Sequence, residues 1–171
     1  SNLDNAKVVY FDVANARNPW GVVSMNQEGL VLDGWISQQI VEAMDGTTFG
    51  VVDPRMEFLF SQTQHGTFRG TKNGAGRDAD VMDLRLDAST LVEDTYYADR
   101  LSPVMVITYA EQKFIEAEAE LALNDLPAAY DAYLDGIAAH MNMVGVSVAD
   151  RDAYINDPVV SVGSANITID L

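Results

Sequence analysis

Ile107-Thr108-Tyr109-Ala110-Glu111-Gln112-Lys113-Phe114-Ile115-Glu116-Ala117-Glu118-Ala119, followed shortly by Ala128-Ala129-Tyr130-Asp131-Ala132-Tyr133-Leu134-Asp135-Gly136-Ile137, decides the fold. From Thr108 to Leu123, Ala110, Phe114, Ala117 and Leu121 recur on one helical face, and Glu111, Glu116, Glu118 and Glu120 lie largely outside it. Asn124-Asp125 interrupts the pattern, and Pro127 stands where a first helical turn tolerates proline. A second helix is expected from Pro127 to about Met143, with Ala129, Ala132, Tyr133, Gly136, Ile137 and His140 as its stripe and Gly145 as its stop. Two helices with small-residue faces and a short connection lie antiparallel, because each covers the other's apolar side. This is an αα-hairpin of the tetratricopeptide type. It is present once, whereas such units usually stack in threes or more. Either further units lie outside this chain, or its loop-rich part covers the exposed faces.

Outward from the hairpin, the pattern weakens. Residues 1–102 read as a loop-rich part with one helix and short strands, residues 103–146 as the hairpin, and residues 147–171 as an irregular tail. Val8-Val9-Tyr10-Phe11 has the β-branched and aromatic character of a short strand. In the stretch ending at Met44, Ile36, Ile40, Val41 and Met44 repeat at helical spacing, with Ser37 as cap and Asp45-Gly46 as stop. Trp35, just before it, reads as core. Arg55-Met56-Glu57-Phe58-Leu59-Phe60 and Gly66-Thr67-Phe68-Arg69-Gly70 read as short strands or extended loop. The polar connection over residues 50–102 is long enough to be functional or locally structured.

Composition narrows the function. Of 171 residues, 48% are apolar and 21% charged, enough to bury a core. Ten Lys plus Arg against 26 Asp plus Glu give a net charge of -16, which excludes nucleic acid as a partner, since phosphate binding is driven by counterion release from basic side chains. An anionic membrane surface is disfavoured for the same reason. The chain has no cysteine, hence no disulfide framework, thiolate nucleophile or Cys-type metal site. No run approaches the ~18–20 apolar residues that span a bilayer. The start at Ser1-Asn2-Leu3 leads us to expect a processed or internal piece of a longer chain.

Several motifs carry little chemistry. Gly74-Ala75-Gly76-Arg77-Asp78-Ala79 has the spacing of a dinucleotide turn but lacks a buried strand before it, and its aspartates repel phosphate, so it reads as a glycine turn. Asp78, Asp80, Asp83 and Asp87 offer oxygen ligands for Ca²⁺. The EF-hand spacing fails, and a solvated acidic loop is the better reading; no cofactor is expected. His65 lies in a polar loop, and His140 on the second helix's inner stripe reads as a partly buried helix residue. There is no G-x-S-x-G elbow to supply a nucleophile. Two carboxylates ~5–9.5 Å apart suffice for glycoside hydrolysis, but carboxylates are too abundant here to point anywhere. Trp20, Phe68, Tyr96 and Tyr97 are more informative: flat apolar faces with polar edges stack on sugar rings, though such rings also anchor loops to a core.

Taken in order, Asn18-Pro19-Trp20, the Ser37–Met44 helix, Asp53-Pro54-Arg55, Phe68-Arg69-Gly70, Asn73-Gly74, Ser102-Pro103, the T-Y-A-E-x-x-F-I-x-A-E-A helix from Thr108 and the Y-x-x-G-I of Tyr133 to Ile137 resemble the SusD/RagB family of nutrient-binding outer-membrane lipoproteins, in its SusD-like branch. The shared order covers about residues 18–140. The resemblance implies a mainly α fold, in which a tetratricopeptide-type hairpin packs against a loop-rich subdomain with short strands. It implies a surface-exposed, lipid-anchored protein of the outer membrane that captures a glycan, or sometimes peptide, and delivers it to a SusC-like TonB-dependent transporter. Family members are longer, so the chain is expected to be an internal fragment whose lipidated cysteine lies elsewhere. The matched motifs identify scaffold rather than site. Asp53-Pro54-Arg55 reads as structural, proline fixing a turn before a strand and Arg55 forking onto a carboxylate or carbonyls.

The leading expectation is therefore a non-catalytic glycan-binding protein whose ligand contacts include Trp20, Phe68, Arg69, Tyr96 and Tyr97. A protein- or peptide-interaction module of helical-hairpin type is the alternative, and a glycoside hydrolase ranks below both.

Overall fold

A computed structural model describes residues 5–13, 15–21, 36–74, 87–91 and 95–167. The chain divides into two compact units, one of Ser1–Lys7 with Met105–Leu171 and one of Val8–Val104. The architecture is mainly helical, as the sequence pattern and the resemblance imply.

A two-stranded sheet, most of it in the first unit, pairs β1 (Ala6–Val8) with β2 (Val104–Ile107). Helices α3 (Tyr109–Ala122) and α4 (Leu126–Val144) then form the hairpin. Thr108 caps α3 by accepting the Glu111 N–H, and Asp125 caps α4 by accepting that of Ala128. Gly145 stops α4 in the left-handed region at φ 98°, which a side chain would disfavour. Ala110 and Ala117 of α3 and Ala129, Ala132, Gly136, Ile137 and Ala139 of α4 are buried, so the seam is built from small residues as the spacing predicts. Tyr133 and His140 are half-buried, and Phe114 sits at the seam's edge. Asn5 links chain start to hairpin, its side chain accepting the Tyr109 N–H at 2.6 Å and reaching the Met143 sulfur at 3.6 Å.

The expected irregular tail carries a helix, α5 (Val148–Ile155), and a 3-10 turn at Ser164–Asn166, both packed on α4. α5 has no buried residue and hence no apolar stripe to reveal it. Its signal is the Ser147-x-x-Asp150 capping box, in which Ser147 Oγ accepts the Asp150 N–H at 3.1 Å.

In the second unit, α1 (Gln38–Met44) starts on Ser37 and ends at Asp45, as expected, with Val41 and Met44 buried. A tight reversal through Gly46 and Gly50, at φ 89° and 77°, returns the chain to an antiparallel bridge between Asp45 and Val52. Arg55–Phe60 is not a strand. Asp53 accepts the Arg55 N–H at 2.9 Å and, with Pro54, starts a helical turn, α2 (Met56–Leu59), that buries Met56 and Leu59. A hydrophobic run this short does not separate strand from buried helical turn, and the Asx turn before it settles the matter. At the other end, strand β1 stops at Val8, before Tyr10 and Phe11; the Phe11 N–H donates to the Ala16 carbonyl and the Ala16 N–H to the Val13 carbonyl, both at 2.8 Å. Trp35, Gly76 to Ala79, Asp80 and Asp83 lie outside the described residues. Among the described residues, no helix is long and apolar enough to cross a membrane.

Candidate functional site

The most connected candidate residues lie in the second unit around Asn18. The residue is 2% exposed, and three of its carboxamide's four hydrogen-bonding positions are used. Oδ1 accepts the Trp20 N–H at 3.0 Å, while Nδ2 donates to the carbonyls of Tyr97 at 3.1 Å and Ser102 at 3.0 Å. The Asn18 N–H donates to the Arg100 carbonyl at 2.9 Å. A buried carboxamide left without such partners would cost about 1–3 kcal/mol, so these bonds fix the segment. Pro19 follows in the first helical position, where its missing N–H loses nothing. Gly21 then lies so close to Arg100 that a Cβ would stand 2.4 Å from its Cα.

The segment opposite is the turn 95–102. Thr95 is buried, and its carbonyl accepts the N–H groups of Ala98 and Asp99. The Tyr96 N–H donates to the Phe58 carbonyl at 2.8 Å, and Ser102 Oγ donates to the Tyr96 carbonyl. The rings of Tyr96 and Tyr97 meet edge to face, centroids 5.0 Å apart and planes at 90°. Burial raises the Tyr97 pKa and the Arg55 guanidinium partly offsets that rise; burial and then its neighbour Tyr97 raise that of Tyr96. Both phenols stay neutral donors at physiological pH. Arg55 is held on Asp53 by Nε at 2.9 Å from Oδ1 and by its terminal nitrogen on Oδ2, with Asp53 buried. The fork onto a carboxylate expected for Arg55 is thus its own neighbour's.

Trp20 is 49% exposed and Tyr97 38% exposed, so two of the proposed stacking rings reach solvent. Tyr96 is half-buried and packs edge-on to Tyr97. Phe68 and Arg69, both half-buried, belong to a different set of bonds. There the Arg69 N–H donates to Ser89 Oγ at 3.0 Å, the Ser89 N–H to the Arg69 carbonyl at 2.7 Å, and the Gly70 N–H to Gln38 Oε1 at 2.9 Å, which seats the segment on the start of α1. The sequence reading missed Asn18 as the residue joining Trp20 to Tyr97. Its signal was Asn-Pro, an N-cap followed by a first-turn proline, but nothing local reveals the two distant carbonyls.

His65 is exposed, with Nε2 3.3 Å from Asp87 Oδ1, and Gln64 donates to the same oxygen at 2.6 Å. Of the acidic run weighed for Ca²⁺, only Asp87 is described. Among the described residues, no group of three or more His, Asp or Glu side chains is placed to hold a metal ion. On the hairpin, a concavity of about 470 Å³ is lined by Phe114, Ala117, Leu121, Tyr133, Val162 and Ile167, with Glu118 and Asn166.

A helical hairpin in one unit and a loop-built, aromatic-bearing unit beside it in sequence define a mainly helical, hairpin-containing class of fold. The chain belongs to the SusD-like family described as starch-binding and associating with the outer membrane, whose family model matches residues 1–169. Among solved structures it is similar to a SusD homologue from Bacteroides fragilis, at 20% identity and TM-score 0.62, over 95% of this chain and 36% of that one. It is also similar to a chitin-binding protein, at 20% identity and TM-score 0.65, over 91% of this chain and 36% of that one. The chain thus spans about a third of the length of these structures, which share its fold. A search of curated proteins returns no match.

Proposed function

We propose that this chain forms part of a non-catalytic glycan-binding component of a polysaccharide-uptake system. It would sit surface-exposed at the outer membrane, held by a lipid anchor, and pass oligosaccharide to a SusC-like TonB-dependent transporter. Membership of a family described as starch-binding supports the ligand class, and so does the similarity to a chitin-binding protein. The observation that carries the reading is the exposure of Trp20 and Tyr97 on backbones joined by one buried carboxamide. An aromatic face covers the C–H face of a sugar ring, and the indole N–H or phenol O–H then meets a hydroxyl at its edge. Neither contact needs a charge on the ligand, which suits a chain of net charge -16. No cofactor enters the proposal.

Isothermal calorimetry of the intact protein with malto- and chito-oligosaccharides tests it. Binding of one series is expected, with Trp20→Ala and Tyr97→Ala each weakening it about tenfold, the scale of one lost aromatic contact. Absence of saccharide binding alongside binding of peptides would replace this reading with the protein-interaction module.

A further inference from the structure

We propose that Asn18 is a positioning residue that holds Trp20 and Tyr97 as a single preformed aromatic platform. The proposal rests on the glycan-binding reading given above and adds to it which residue sets the geometry. Trp20 and Tyr97 are 77 positions apart in the sequence, yet each backbone is bonded to the same side chain, Trp20 through its N–H and Tyr97 through its carbonyl. A carboxamide is the one neutral side-chain group that accepts from the first while donating to the second and to Ser102. An aspartate matches its size but, ionised, only accepts. Alanine removes the bonds to two carbonyls and one N–H. The clasp is reinforced on both sides, by the Asn18 N–H on the Arg100 carbonyl and by the close approach of Gly21 to the Arg100 backbone. Ser102 completes the circuit, since its carbonyl accepts from Asn18 while its hydroxyl donates to the carbonyl of Tyr96, whose ring buttresses that of Tyr97. Rings whose backbones are already fixed lose less freedom on binding than rings on independent loops, so the clasp acts on affinity without touching ligand.

The test uses the intact protein, the oligosaccharide series that binds it, and the variants Asn18→Ala, Asn18→Asp, Trp20→Ala, Tyr97→Ala and the double variant W20A/Y97A. Asn18→Ala and Asn18→Asp are expected to weaken binding about tenfold while the protein stays folded by circular dichroism. The losses from Trp20→Ala and Tyr97→Ala are expected to be coupled in the parent protein and additive in the Asn18→Ala background. Hydrogen exchange of the unmutated protein keeps the inference testable if the Asn18 variants do not fold. The Trp20 N–H should be protected about tenfold or more without ligand and change little when ligand is added. Parental affinity in a folded Asn18 variant, or a Trp20 N–H protected only when ligand is bound, overturns the clasp and leaves the glycan reading standing. Parental affinity in both Trp20→Ala and Tyr97→Ala overturns the platform itself.

Discussion

Glycine spacing within the chain is decided by what stands opposite each Cα. A Cβ at position 136 would meet the ring of Phe114 at 2.7 Å, whereas one at position 70 would meet the backbone of Gln38 at 2.4 Å. The Phe114 ring is at the seam's edge and can swing away, but the Gln38 backbone opens α1 and also hydrogen-bonds Thr71, so it cannot. Gly136→Ala should therefore cost about 1 kcal/mol, ring displacement outweighing the gain in helix propensity. In a Phe114→Ala background the same change should become neutral or stabilising. Gly70→Ala should cost about 3 kcal/mol, because no flexible group can yield. Urea unfolding of the four variants measures these differences, and equal costs at the two sites would refute the distinction. From sequence, Gly136 was legible as a close-approach position because it fell in a stripe with Ala129 and Ala132. Gly70 was not, since its partner lies on a loop-to-helix pairing that has no periodicity.

Helices in this chain were readable to the extent that they bury a stripe or carry a cap. The hairpin met both conditions, and its observed limits, Tyr109–Ala122 and Leu126–Val144, fall within a residue or two of those expected. α2 is one turn long, so its two buried residues, Met56 and Leu59, make no readable stripe, and the mixed stretch Arg55–Phe60 reads equally as a strand. α5 met only the second. Among the loop aromatics, exposure of Trp20 could be expected from its turn-rich setting, but the connection to Tyr97 runs through tertiary hydrogen bonds that a linear pattern does not contain. The same distinction sets what cap removal does. Thr108→Ala and Asp125→Ala each take a cap from a helix packed along its length, so each should lower global stability by about 1 kcal/mol, and the two should add. Ser147→Ala takes the cap from an eight-residue helix with no buried residue, whose helicity is marginal alone. Amide exchange over 148–155 should then accelerate while global stability shifts by less than about 0.5 kcal/mol. A global loss equal to that of Asp125→Ala would mean that α5 is part of the cooperative core.

At the scale of the whole molecule, charge and proton binding give the last two tests. Lys113 carries a raised pKa, first through its hydrogen bond to Glu116 at 2.9 Å, with Asp135 on α4 3.4 Å away. Tyr96 and Tyr97 are raised chiefly by burial. In all three the folded-state pKa lies above its unfolded value, near ~10, so their stabilisation is complete below that pH and is lost as pH rises through the folded values. Melting temperature should therefore be insensitive to these groups from pH 7 to 9 and fall above about pH 10, with the fall reduced in the Tyr96→Phe/Tyr97→Phe variant. An undiminished fall in that variant would remove the tyrosines from the explanation. The net charge of -16 bears on the ligand in the opposite way, by having no hold on it. A neutral oligosaccharide displaces no counterions when it settles on Trp20 and Tyr97, so its affinity should change less than about twofold between 50 and 500 mM salt. A basic peptide recruited by the chain's net negative charge would weaken about tenfold or more over that range, because screening removes the attraction that recruits it. Calorimetry across the salt series thus separates stacking from charge as the source of affinity, and a steep salt dependence for the saccharide would count against aromatic capture as the binding mode.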